Sequence, residues 1–183
     1  MASTGPGTET TRASLLMQEA FAAIDTKDLD RLAAVWDDRT TDDFIALGTI
    51  VTGEAALRAF FGELFAAFPD LQMTVEAVHD VDERTAVGQW RMVGDFTGGP
   101  FGGIEPTGRR VDVRGIDVMR FEDGKLRHND VYYDGLSFAR QIGLLPAADS
   151  KADQAMVAGF NALTRAKVAV RERRHRRQEQ GAS

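Results

Sequence analysis

Cysteine is absent from the 183 residues, which removes disulfides, thiolate nucleophiles and cysteine-ligated zinc or iron–sulfur centres together. No run approaches the ~20 apolar residues that a bilayer-spanning helix needs, so no membrane partner is expected. Basic charge is also in deficit: 22 Lys and Arg stand against 28 Asp and Glu, a net charge of −6. The one dense basic run, Arg171 to Arg177 (RERRHRR), carries +4 and leaves −10 on the rest of the chain. Phosphates favour a basic face, so this balance argues against nucleic acid as a partner. The first dozen residues, MASTGPGTETTR, lack the apolar stretch of a signal peptide and read as a disordered tail over 1–12. What is present is 43% hydrophobic, in a length that suits one compact domain burying roughly 70% of its unfolded surface. The expectation is a soluble, cytoplasmic chain.

Residues 13–36 read as two helical pieces. Leu15, Leu16, Phe21 and Ile24 form one apolar stripe, and Leu29, Leu32, Ala33 and Trp36 form another after the Asp28 start signal. DDFIAL (42–47) is short and β-like. Residues 54–68 carry Leu57, Phe60, Phe61, Leu64, Phe65 and Phe68 at helical spacing, and Pro69 stops that helix. Beyond it the period changes to 2: Leu71, Met73, Val75 and Ala77 alternate with polar residues, then Ala86, Trp90, Met92 and Phe96 share a face of a second strand. Residues 97–109, TGGPFGGIEPTGR, form a Gly/Pro loop without the Lys-Ser/Thr pair of a phosphate-binding loop. Strands return at 110–121 and 125–133 around Asp123-Gly124, a strong hairpin signal. Gly135 to Gly143 reads as a short helix closed by Gly and then Pro146. From 151 onward Met156, Phe160, Leu163 and Val170 suggest a final amphipathic helix, making 147–183 a C-terminal helix with a basic tail. Strands clustered without βα alternation imply an α+β fold on an antiparallel sheet.

The last hairpin holds the converging polar groups. With Asp123-Gly124 as a two-residue turn, Glu122 faces Lys125 and the register follows by counting. That register puts Asp117 opposite Asp130, Met119 opposite His128 and Val113 opposite Asp134. Val111, Val113, Met119, Phe121 and Leu126 share this face, whereas Asp112, Arg114, Arg120, Lys125, Arg127 and Asn129 occupy the other. Opposed Cβ atoms lie ~4.5–5.5 Å apart. Two carboxylates so placed repel, unless one binds a proton at raised pKa or His128 sits between them as a cation. Coupled groups of this kind can act as general acid and base. Asp134 extends the polar track, and Trp36, Trp90, Phe96, Met119 and Tyr132 are the candidate walls. The plain alternative is that His128, Asp130 and Asp134 form a solvated face, with Trp36 and Trp90 as core. His128-x-Asp130 with Asp134 is too sparse for a metal site, since His79 and His175 lie far off in sequence.

AFPDLQMTVE (67–76), GPFGGIEPTGRRV (99–111), GIDVMRFEDGKL (115–126) and YDGLSFARQIGLLP (133–146) together resemble the SnoaL-like polyketide cyclases of the nuclear-transport-factor-2-like superfamily, over about Ala13 to Pro146. The resemblance implies a cone-shaped α+β barrel, with N-terminal helices packed on a curved, mainly antiparallel sheet around an apolar cavity. It also implies ring closure by intramolecular aldol condensation without cofactor or metal, on a hydrophobic carbonyl-bearing small molecule, in a homodimer. The family's acid/base aspartate matches Asp134 by position. A family histidine falls on Asp117, and a glutamate and a tryptophan fall on His128 and Asp130. In this reading Asp134 abstracts a proton alpha to a carbonyl while Asp117, Asp130 and His128 serve the oxyanion. Two further readings stay open: an epoxide hydrolase or isomerase, with Arg114 between two carboxylates, and a non-catalytic binding or scaffold domain.

Overall fold

The computed structural model describes residues 11–180, and side chains as far as Arg171. The tail expected over residues 1–12 therefore lies outside the described residues up to position 10, and the arginines after Arg171 have no described side chains. Two units make up the chain, one extending to Ile142 and one beginning at Gly143.

Helix α1 (Arg12–Asp25) starts where Thr11 accepts from the Ser14 backbone N–H. The Thr11 and Ser14 hydroxyls both donate to Asp80, which ties the helix start to the sheet. Its buried stripe is Ala13, Met17, Ala20, Phe21 and Ile24, whereas Leu15 is 53% exposed, one position off the stripe the sequence suggests. Asp28 caps α2 (Leu29–Ala33) by accepting from Arg31 N–H, as its side chain predicts. Strand β1 (Thr41–Phe44) turns back at once into β2 (Thr49–Thr52), a short strand the periodicity does not announce. Helix α3 (Glu54–Ala67) buries Leu57, Phe61, Leu64 and Ala67. Strands β3 (Gln72–Asp80), β4 (Thr85–Asp95), β5 (Arg110–Glu122) and β6 (Lys125–Tyr133) then form the meander, and α4 (Gly135–Gln141) follows.

The six strands make one curved sheet in the order β2-β1-β6-β5-β4-β3, antiparallel except where β1 runs parallel to β6. The fold is thus α+β, as expected. Helix α1 lies close on the sheet at Gly88: a Cβ there would stand 2.7 Å from the Met17 sulfur and 2.9 Å from the Phe21 ring. The core fills the concave side between sheet and helices, and all its residues fall at or before Ile142.

The β5–β6 hairpin departs from the counted register. Asp123 and Gly124 have φ of 53° and 76°, and Glu122↔Lys125 and Phe121↔Leu126 pair as counted. Arg127 is then an extra residue: Arg120 pairs with His128, Met119 with Asn129 and Asp117 with Val131. A bulge of one residue transfers every later side chain of β6 to the opposite face. Its cause lies in the segment before β1. Leu126 N–H donates to Val35 O, the Thr40 hydroxyl donates to Leu126 O, and Arg127 pairs with Asp37 at 2.8 Å. Leu126 is drawn into the core at 2% exposure, and the arginine swings out to its carboxylate.

In the second unit, α5 spans Lys151–Gln180. Its apolar side chains, including Met156, Phe160, Leu163 and Val170, are exposed. Among the described residues no helix is long and apolar enough to cross a membrane.

Candidate functional site

The concave side of the sheet holds a hollow walled by aromatic and aliphatic side chains, with Asp42, Asp117 and Asn129 as its polar groups besides Tyr133. The hollow opens to solvent and has a cavity volume of about 90 Å³. It is a narrow slot rather than a wide chamber. That is still several times the ~10–15 Å³ one water needs by this measure. Of the candidate wall residues, Trp36, Trp90 and Met119 line it, together with Tyr133.

Strand register brings the polar groups together. Asp42 on β1 stands opposite Asn129 on β6, and Asn129 stands opposite Met119, two residues from Asp117, on β5. The three side chains thus cross adjacent strands β1, β6 and β5 on one face, and all are buried: Asp42 2%, Asp117 5% and Asn129 2% exposed. Asp117 accepts from the Trp90 indole N–H at 2.7 Å and from the Asn129 amide at 3.0 Å. Trp90 reaches it because Gly115 leaves room, since a Cβ there would stand 2.2 Å from the indole ring. Tyr133 packs at a centroid distance of 6.3 Å from Trp90.

Burial acts differently on the two acids. Loss of hydration pushes Asp42 up to about 8, the negative charge of Asp117 adds to this, and the Asn129 amide pulls the other way. Asp117 is pushed up only to about 6, because the Asn129 and Trp90 donors oppose its desolvation. Near neutral pH the slot therefore holds one protonated and one ionised carboxyl, with affinities on either side of 7. Burial also lifts Tyr133 to about 12, so its hydroxyl stays protonated.

The bulge removes most of the other expected site residues from this face. His128, Asp130 and Tyr132 point to the convex side. There Asp130 bonds His128 Nε2 and Arg120, both at 2.8 Å, and Tyr132 is 47% exposed. Burial pushes Asp130 upward, but the hydrogen bonds and charges of Arg120 and His128 outweigh it and hold the carboxyl below its ordinary value. Asp134 caps α4 by accepting from Ser137 N–H and edges an open surface hollow with Arg91, Asp112 and Arg114. Arg114 pairs with Glu76 at 3.0 Å and is 70% exposed. Phe96 is buried against Phe68 at 5.1 Å and does not line the slot. Asp117 is the member of the expected acid pair that does face the slot. Sequence reasoning missed Asp42, Asn129 and Tyr133. A partial signal existed for Asp42, an acid alternating with Phe44 in a β-like hexapeptide.

Comparison with known proteins bears on the same unit. The sequence matches the family model of SnoaL-like polyketide cyclases over residues 14–142. No curated protein matches it. Among solved structures, TsrD from Streptomyces laurentii is 28% identical with a TM-score of 0.63, covering 75% of this chain and 100% of its own. A protein from Jannaschia sp. CCS1, provisionally described as a SnoaL-like polyketide cyclase, is 25% identical with a TM-score of 0.63, covering 76% of this chain and 100% of its own. A protein from Catenulispora acidiphila with a ketosteroid isomerase-like fold is 16% identical, with a TM-score of 0.59 over 73% of this chain and 95% of its own, and speaks to the fold alone.

Proposed function

This chain belongs to the SnoaL-like polyketide cyclase family, and from that membership we propose that it carries out acid/base chemistry on a hydrophobic, carbonyl-bearing small molecule in its slot. The observation that carries the reading is two buried carboxyls, Asp42 and Asp117, lining one apolar hollow. Asp117, ionised, abstracts a proton alpha to a carbonyl. The C–H electron pair forms the enolate double bond, and the carbonyl oxygen takes the charge. Asp42, protonated, donates to that oxygen. In a cyclisation the enolate carbon bonds a second carbonyl carbon of the same molecule, and the new alkoxide recovers the proton from Asp117. No cofactor is needed for these steps. Trp36, Met119 and Tyr133 shape the slot, and Trp90 and Asn129 hold Asp117.

A generic carbon acid tests this without the natural substrate. Exchange of the alpha hydrogens of 2-tetralone for deuterium, followed by mass spectrometry, is expected to be accelerated by the wild-type protein. Asp117→Asn should cut that acceleration by about 10²–10⁴-fold. Full activity in that variant would remove Asp117 from the chemistry, and none in the wild type would favour the non-catalytic binding reading. Epoxide hydrolysis with Arg114 between two carboxylates loses support, because that guanidinium sits on the convex side with Glu76. A homodimer belongs to the same proposal, with the convex face, where Ile116 and Tyr132 are exposed, as its contact.

A further inference from the structure

The donors that line the slot are not all spent within the protein. Besides its two acids, the polar side chains in the wall are Trp36, Trp90, Asn129 and Tyr133. The Trp90 indole N–H and the Asn129 amide both give to Asp117. Among the described residues nothing accepts from the Trp36 indole N–H or from the Tyr133 hydroxyl. Every other lining side chain is apolar.

These two free groups are not equivalent. A phenol can donate or accept, so Tyr133 selects no one kind of partner, whereas an indole N–H can only donate. Trp36 is 2% exposed, so bulk water does little to satisfy that donor, and a buried indole N–H ordinarily has a partner. The residue is also held in place. Its ring packs on Phe61 at a centroid distance of 5.4 Å, and its backbone carbonyl accepts from the Lys125 ammonium at 3.0 Å.

Trp36 stands apart from the acids along the slot. Its neighbour Val35 accepts from Leu126 N–H at the start of β6, whereas Asp42 stands opposite Asn129, further along the strand, and Asp117 opposite Val131, further still. At ~3.3 Å per strand residue, Leu126 and Asn129 are about 10 Å apart along the backbone. We infer that Trp36 is a specificity-determining residue whose N–H receives an acceptor oxygen of the ligand remote from the reacting carbon. The class this selects is an apolar molecule with two oxygen functions: a carbonyl beside the acids, and a second acceptor at the Leu126 end. The inference rests on the acid/base reading above and deepens it, because it states what the substrate carries beyond the carbonyl that reacts.

Nuclear magnetic resonance of the full chain, labelled with heavy nitrogen, tests this through the indole N–H signals. Trp36→Phe removes, and so identifies, the Trp36 signal; Trp90→Phe identifies it by elimination if Trp36→Phe does not fold. The probes are 6-acetyl-2-tetralone and 6-isopropenyl-2-tetralone, which differ only in an oxygen replaced by CH₂ at the end away from the ring ketone. Titrating the acetyl ketone should move the Trp36 signal downfield, and the alkene should not. Trp90, already bonded to Asp117, is the internal control. By calorimetry, the dissociation constant of the acetyl ketone should rise about 2- to 10-fold in Trp36→Phe, with that of the alkene unchanged. An equal response of the Trp36 signal to both probes, or to neither, overturns the inference, as does an equal loss of affinity for both in the folded variant. Neither measurement involves turnover, so failure here leaves the deuterium-exchange test of Asp117 standing, and failure there leaves these titrations readable.

Discussion

Asp42 and Asp117 are both buried carboxyls, and what separates them is the number of donors each receives. Asp117 has an indole and an amide, whereas Asp42 has a buried oxygen with no partner. Both therefore take up protons on folding, and the sign of the pH effect follows. Their folded affinities, about 8 and about 6, exceed the value near 3.8 of an unhindered carboxyl. Their contribution is fully present below pH 4 and is lost as pH rises, through 6 for Asp117 and through 8 for Asp42. The urea midpoint of the wild type should therefore carry a component that falls between pH 5 and pH 8. Asp42→Asn, which mimics the neutral acid, should flatten that fall. It should also be the more stable protein at pH 8 by a few kcal/mol, since each tenfold change in proton affinity is worth about 1.4 kcal/mol. An unchanged slope in the variant would show that Asp42 ionises freely.

At the scale of elements, the hairpin shows how much of the site could be read from the chain. The Asp-Gly turn and the first two pairs of β5 and β6 follow from local sequence. The bulge at Arg127 does not, because what holds it is Val35, Asp37 and Thr40, some ninety residues earlier. One unseen extra residue exchanged His128, Asp130 and Tyr132 for Asn129, Val131 and Tyr133 inside the slot. The acid that lines the slot with Asp117 is Asp42, where the counted register had put Asp130. Asp42 was legible as a strand residue, but its direction depends on the parallel pairing with β6, which no local pattern reveals. The order and type of the longer helices and strands, by contrast, were legible from periodicity and caps. Deleting Arg127 should straighten the ladder and leave His128 and Asp130 on the convex side, because Arg120↔His128 and Val118↔Asp130 are already the pairs of a ladder without the extra residue. Circular dichroism is expected to show that the deletion variant and Arg127→Ala both keep a cooperative melt, each at a lower midpoint for want of the Arg127–Asp37 pair. Loss of the cooperative melt on deletion would mean that Leu126 reaches Val35 and Thr40 only with the bulge in place.

At the scale of the molecule, every residue of the core lies at or before Ile142, and the apolar side chains described on α5 are exposed. A chain ending at Ile142 should therefore keep its melting temperature within a few degrees by circular dichroism. A collapse of that melt would assign α5 a structural role. Mass measurement by light scattering on the same chain, with and without Ile116→Glu, checks the proposed dimer. The convex-face contact predicts a dimer that survives truncation and is lost on adding the charge.

Trp36 and Trp90 are the only indoles in the sequence, and both stand in the wall of the same slot. All tryptophan emission from this protein thus arises at the place where a ligand would sit. Trp90 also donates to the charge of Asp117, so its light should change as that carboxyl gains or loses its proton. The fold has in effect labelled its own interior, and a fluorimeter can follow both occupancy and protonation there with no added dye.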